Sequence, residues 1–168
     1  MSVSIRRAQP HDLPFLVELL NHDEVEPYLA GARSRTAEEI GQEVAESLAD
    51  PEACGRMVIE VDGERAGTME YDRVNRRSRI ARLGGLAVHP DFRGRHVSDE
   101  AARLLQRLLF ELGYHRLEME IYGFNERAQR HAERAGFVRE GVRRKAYRRQ
   151  DEWVDGVLYG LVAEDLAD

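Results

Sequence analysis

Val88-His89-Pro90-Asp91-Phe92-Arg93-Gly94-Arg95 is the stretch on which the reading of this chain turns. A strand that closes on Val-x-Pro and runs through an Arg-Gly turn into an apolar-striped segment puts a helix amino end beside a strand carboxyl end. The first backbone N–H groups of such a helix have no intrahelical partner, and the helix dipole adds partial positive charge there. Arg93 and Arg95 bring full charges to the same turn. A pyrophosphate is the natural occupant.

Outward from that turn, each segment carries its own grammar. Residues 97–112 form a helix, with Val97, Ala101, Leu104, Leu105, Leu108 and Leu112 on one face and Gly113 stopping it. Upstream, 57–61 and 65–71 make a hairpin around Asp62-Gly63, a pair that readily takes the positive φ of a tight turn. The turn 75–78 leads into a third strand, 79–88. Downstream, 116–122 alternates Leu117, Met119 and Ile121 with Glu118, Glu120 and Tyr122, which predicts a strand. Asn125 caps a helix ending at Gly136, and 137–142 and 155–162 read as closing strands around a basic loop. At the front, 4–8 is a strand and Asp12 an N-cap for a helix bearing Leu13, Leu16, Leu19 and Leu20. A polar stretch with Pro27 and Gly31 precedes a second helix from Thr36 to about residue 48.

The bulk numbers describe an ordinary globular domain. The 168 residues are enough for one core, and 42% hydrophobic with 33% charged residues is typical. A net charge of −6 argues against a nucleic-acid coat. Lys145 is the single lysine beside 24 arginines, which reads as genome composition bias. Cys54 is the sole cysteine, so neither a disulfide framework nor a thiolate metal cluster is expected, and no metal is assigned. No signal-peptide core or membrane-length apolar run is seen, and a cytoplasmic setting is expected.

These motifs in this order resemble the acetyl-CoA-dependent N-acetyltransferases of the GNAT superfamily, and within it the RimJ/RimL-like branch. The resemblance runs from Ile5-Arg6-Arg7-Ala8 and Asp12-Leu13, through Gly136-Phe137 and Glu140-Gly141, to Trp153-Val154-Asp155 and Tyr159-Gly160-Leu161. It implies a single domain over 1–168 of the α+β class: a mixed sheet in αβα layers, element order βααβββαβαββ. That sheet would splay apart after the strand ending at Val88, with the acyl-pantetheine arm of acetyl-CoA in the gap. Backbone groups of Leu86, Ala87 and Val88 would meet the pantetheine. Arg93, Gly94, Arg95, His96, Val97 and Ser98 would hold the pyrophosphate, and Asn125 and His131 would contribute from the later helix.

The chain departs from the family pattern at several of these places. His96 and Ser98 stand where glycines are usual; they can serve if the turn keeps near-helical φ. Two acids, Asp99 and Glu100, sit in the first turn; the resemblance implies that Glu100 points away from phosphate, while Asp99 has no assigned role. Arg82 replaces the usual glutamate base, and Ala132 and Ala128 replace the hydroxyl donors. Glu70, Glu118 and Glu120, on strands bordering the gap, are the alternative acceptors for the amine proton, with salt-bridged surface glutamates the plainer reading. Tyr122, His131 and Tyr147 are alternative donors for the leaving thiolate. Cys54 reads as inert.

The expectation is an N-acetyltransferase moving acetyl from acetyl-CoA to a primary amine by direct attack in a ternary complex. The acceptor is a small-molecule amine or a protein N-terminal amine. The basic run Arg143-Arg144-Lys145-Ala146-Tyr147-Arg148-Arg149 favours one that carries carboxylate or phosphate, or an approach to RNA-bound protein. The resemblance allows a homodimer. The rivals are a catalytically impaired acyl-CoA-binding module and, more remotely, a nucleotide or nucleic-acid binder using that run.

Overall fold

The computed structural model describes residues 1–29 and 34–166; Gly31 of the polar stretch lies outside them. Its elements are β1 (Val3–Arg7), α1 (Leu13–Leu20), α2 (Ala37–Ala49), β2 (Cys54–Val61), β3 (Glu64–Asn75), β4 (Ile80–Val88), α3 (Val97–Glu111), β5 (Arg116–Tyr122), α4 (Glu126–Arg134), β6 (Val138–Arg149) and β7 (Glu152–Val162). This is the expected order, in the expected α+β class. None of the helices described is long and apolar enough to cross a membrane.

The seven strands form one sheet, ordered β1-β2-β3-β4-β5-β7-β6. The β4–β5 pair is parallel; the other neighbours are antiparallel. Helix α3 packs Val97, Ala101 and Leu105 of its predicted stripe, joined by Leu109, against Met57, Ile59, Met69, Leu83 and Leu117, while Leu108 and Leu112 are only partly buried. Helices α1 and α2 cover part of the other face, where Leu16, Leu20, Ile40 and Val44 enclose Val58 and Ala8. Each such aliphatic side chain contributes roughly 1.5–3 kcal/mol on leaving water.

Local capping explains the helix limits. Thr36 accepts from the Glu39 N–H in a reciprocal capping box, and Asn125 accepts from the Ala128 N–H at 3.1 Å. Asp12 behaves differently from its reading as a cap. Fully buried, its carboxylate takes Arg6 at 2.7 and 2.9 Å, Arg65 at 2.6 Å and the Gln9 N–H at 2.8 Å, tying β1 to β3. The bonds from Arg6 above all, against the cost of burial, hold this carboxyl well below the usual range.

The closing strands are also longer than read. The basic run belongs to β6 rather than to a loop, and β6 and β7 form one long hairpin with a register shift between Arg143 and Tyr147. Backbone pairing across the hairpin outweighs the charge repulsion within the run, and Glu120 and Asp151 offset it. Trp153, opposite Arg148 in this hairpin, is 60% exposed and lies outside the core.

At Gly67 the third and fourth strands come too close for a side chain: a Cβ would lie 2.4 Å from the Ala87 carbonyl oxygen. Gly67→Ala should therefore cost about 1–3 kcal/mol, since backbone rather than a flexible side chain must yield. Urea unfolding would reveal this as a lowered midpoint at unchanged m value.

Candidate active site

The site begins where sheet pairing stops. β4 and β5 pair only through Ile80, Ala81 and Arg82 with Arg116, Leu117 and Glu118. Beyond them β4 keeps only β3 as partner and β5 only β7, so two one-sided strand lips face each other across a gap.

The β4 lip carries a bulge. Thr68 pairs with Ala87 but Glu70 pairs with Gly84, so Gly85 and Leu86 stand opposite Met69 alone. Gly85 takes φ +58, the left-handed conformation that opens such a bulge. The extra residue leaves ladder groups without a cross-strand partner at the gap, a place where N–H groups can meet a carbonyl. Of the strand expected to meet the pantetheine, Ala87 packs on Leu19 and Val25, while Leu86 and Val88 pack toward α3. The Val88 carbonyl accepts from Arg93 Nε at 3.3 Å.

Glu70 lies across this bulge. A Cβ on Gly85 would sit 3.0–3.1 Å from its side chain, and one on Gly84 would sit 3.7 Å from Oε1. Two glycines on β4 thus open the space that a carboxylate from β3 occupies. Buried Arg56 (2% exposed) grips Glu70 Oε2 and, at 2.6 Å, Glu43 Oε2 of α2. Oε1 of Glu70 makes no hydrogen bond among the described residues.

The β5 lip holds the other acids on the same sheet face. Glu118 receives Arg116 Nε at 2.9 Å, and Arg116 also grips Glu140. Glu120 receives Arg143 Nη1 at 3.2 Å on both oxygens and the Tyr147 hydroxyl. These bridges cross β7 over Gly156, where a Cβ would lie 2.4 Å from Glu120 Oε1. Burial first, then the bond to Glu120, raises the Tyr147 phenol above its ordinary value, so it stays protonated. Tyr122 stacks on Phe124, with centroids 5.4 Å apart, and Arg149 lies 4.9 Å over its ring. Arg149 in turn donates to the Leu29 carbonyl at 2.9 Å and to that of Pro27, fastening the hairpin to the segment after α1.

The turn before α3 departs from helical geometry. Gly94 has φ +76, and His96, the N-cap, has φ 58 and ψ 19. His96 therefore adopts the left-handed conformation for which glycine is suited, at roughly 1–2 kcal/mol. Its imidazole is 85% exposed and caps nothing. Unlike α2 and α4, α3 presents its first N–H groups without a side-chain cap, so they are open to an anion. Arg95 has no ion pair among the described residues and lies 6.0 Å from the Phe92 ring. Arg93 instead binds Glu24, through Nη2 to its carbonyl at 3.0 Å and Nη1 to its carboxylate at 3.4 Å. Ser98 makes no side-chain hydrogen bond among the described residues.

Asp99, without an assigned role in sequence, turns away from this opening. It is buried, accepting from Arg134 at 3.1 and 3.2 Å and lying 2.7 Å from His131 Nδ1 and 3.4 Å from His96 Nδ1. Although burial opposes it, bonds from Arg134, His131 and His96 hold the carboxyl well below the usual range. The i, i+3 spacing of His131 and Arg134 on one helix face is the signal that could have found this lock. Burial pushes the His131 imidazole down, opposed by Asp99, and Nε2 is buried without a partner. A neutral ring donating from Nδ1 to Asp99 satisfies that geometry, whereas protonation would strand a second N–H. Asn125 uses Oδ1 as the α4 cap, and Ala132 is fully buried.

Residues 13–137 fit the model of the Acetyltransferase (GNAT) family. The chain belongs to that family. A curated relative, the SPbeta prophage-derived uncharacterized N-acetyltransferase YokL of Bacillus subtilis (strain 168), is 32% identical over 81 residues, 48% of this chain and 46% of the relative. The match thus spans about half of that relative's length. Among solved structures, spermidine N-acetyltransferase from Vibrio cholerae, in complex with CoA and spermine, aligns with a TM-score of 0.87 at 19% identity, covering 99% of this chain and 98% of its own. Mycobacterium smegmatis RimJ, in complex with CoA-disulfide, gives 0.85 at 20% identity, covering 99% and 84%. The GNAT fold is common to both, and it does not separate their branches.

Two outcomes are expected. His131 resists protonation in the folded state, so its stabilisation is complete above about pH 6.5 and declines as pH falls below that value. Wild-type stability should drop between pH 6.5 and 5 with a slope of at most about 1.4 kcal/mol per pH unit from this group. His131→Asn should flatten that slope, as read from denaturant midpoints. Replacing His96 with glycine should keep acetyl-CoA affinity within about twofold by calorimetry and leave Tm equal or higher, because glycine adopts the same φ without strain. A tenfold loss of affinity would make the imidazole itself the ligand.

Proposed function

We propose that this GNAT-family chain is an acetyl-CoA-dependent N-acetyltransferase acting on a primary amine by direct attack. The observation that carries the reading is the Gly85–Leu86 bulge with Glu70 lying across it at the edge of the β4–β5 gap. Acetyl-CoA supplies an activated acyl carbon. The residues that fit its diphosphate are the open first turn of α3, Gly94, Arg95 and the backbone at His96, Val97 and Ser98. The bulge at Gly85 and Leu86 and the following Ala87 and Val88 face the arm, and Asn125 adds its amide N–H groups, which make no hydrogen bond among the described residues.

The chain's own work is positioning and proton transfer. A neutral amine forms the new N–C bond as the C–S bond breaks, and sulfur departs as thiolate. The amine's proton goes to Glu70 Oε1, the carboxylate oxygen left open by Arg56. Glu70 on β3 thus takes the place that Arg82 vacates on β4, one strand away. Glu118, Glu120 and Tyr122 line the opposite lip and orient the acceptor. The RimJ/RimL-like assignment and a cytoplasmic setting belong to this proposal.

Glu70→Gln should lower kcat by about 10²–10⁴-fold while leaving acetyl-CoA affinity intact, as measured by thiol release across an amine panel and by calorimetry. A loss below threefold would remove Glu70 from the base role. One feature favours a second reading, a module that binds acyl-CoA without turnover: α4 offers no hydroxyl, since its sequence is ERAQRHAER. That reading predicts protection from melting by acetyl-CoA with no thiol released by any amine.

A further inference from the structure

Five glutamates at the sheet face bordering the gap have cationic partners. Glu70 and Glu43 share Arg56, Glu118 and Glu140 share Arg116, and Glu120 holds Arg143. Each of these carboxylates is already at least partly neutralised, so a second ammonium on the acceptor would gain little from them. The cations are not equally consumed. Arg143 uses only Nη1, toward Glu120 at 3.2 Å and toward the Tyr147 hydroxyl at 3.1 Å, and its guanidinium lies 5.6 Å over the Tyr147 ring. Nε and Nη2 have no partner among the described residues, and the side chain is 55% exposed.

Its place in the sheet sets this guanidinium beside the gap. Arg143 pairs with Gly156, and Gly156 pairs with Tyr122 on the β5 lip, so the three stand in one row. With no side chain at Gly156, the guanidinium reaches across β7 to Glu120 on that lip. Carboxylate, phenol and ring anchor it there, which removes much of the side-chain entropy a free arginine loses on binding. Arg82, at the point where the gap opens, has no ion pair among the described residues, and Arg144 and Lys145 follow Arg143 without one.

We propose that Arg143 is the specificity-determining residue for an acceptor that is a small primary amine carrying a carboxylate or phosphate. The anion pairs with the Nε/Nη2 edge, a fork suited to two parallel bonds, while the amine enters the gap. This rests on the transferase reading above and names the acceptor class for the same site.

The test uses four amines of matched length: butylamine, 4-aminobutyrate, 3-aminopropyl phosphate and 1,4-diaminobutane. Thiol release should give kcat/KM at least about tenfold higher for the two anionic amines than for butylamine, and lowest for the diamine, as expected for one charge-assisted pair. Arg143→Gln should bring that ratio to about one, and Arg143→Lys, a point charge without the fork, should restore it only partly. A higher ratio for carboxylate or for phosphate identifies which anion the site prefers. Equal kcat/KM for all four, preference for the diamine, or an equal fall on every amine in Arg143→Gln would overturn the proposal. Calorimetric titration of the same compounds onto CoA-loaded protein separates the two readings. Absence of thiol release from every amine refutes the transferase alone. Binding ranked anion, neutral, dication still supports the anion site, and indifferent binding overturns it.

Discussion

The interruption of one strand pair organises the rest of the molecule. β4 and β5 share three residue pairs and then part, and each continues with a hydrogen-bonded neighbour on one side only. An unpaired strand edge inside a sheet is costly unless something supplies partners. Here the edges face each other, so a ligand threaded between them can complete both ladders. The Gly85 bulge lies on one of these edges, which is why a left-handed glycine is required there and not elsewhere along β4.

Glycine also governs how the polar sheet face is wired. Gly84 and Gly85 admit Glu70 from β3, and Gly156 and Gly160 on β7 let side chains of β5 and β6 meet above the backbone. The resulting pairs, Glu120 with Arg143 and Tyr147, and Arg116 with Glu140, join strands that are not adjacent in the sheet. Exposed ion pairs of this kind are worth little individually, about 0–1 kcal/mol. Their value lies in orientation, since each tethers a long side chain at a known place beside the gap. Buried Arg56 differs, because Glu43 and Glu70 share its guanidinium and only the loss of both would strand its charge in the interior.

Around the α3 turn, the two departures from glycine have a compensating arrangement. His96 carries the left-handed φ and points its ring into solvent, leaving the helix end open. Asp99, which would repel an anion if it faced the opening, is drawn instead into the α3–α4 seam by Arg134 and His131. The same pairing holds α4, and with it Asn125, against α3.

From the chain alone, the order of elements, the α3 stripe, the caps at Thr36 and Asn125 and the Arg-Gly turn could be read, because periodicity, capping and turn chemistry act between residues a few positions apart. Asp12 takes the N-cap position of α1 but turns its carboxylate to Arg6 and to Arg65 in β3, and the basic run pairs with the antiparallel strand β7 instead of forming a loop; local pattern shows neither Arg65 nor β7 as a partner. Which glutamate borders the bulge, which arginine keeps an open edge, and why Asp99 is tolerated depended on contacts between residues 13 to 35 positions apart. Such contacts exist only once the sheet has set strand neighbours and register, since a one-residue slip would send Glu70, Glu120 and Arg143 to the opposite face.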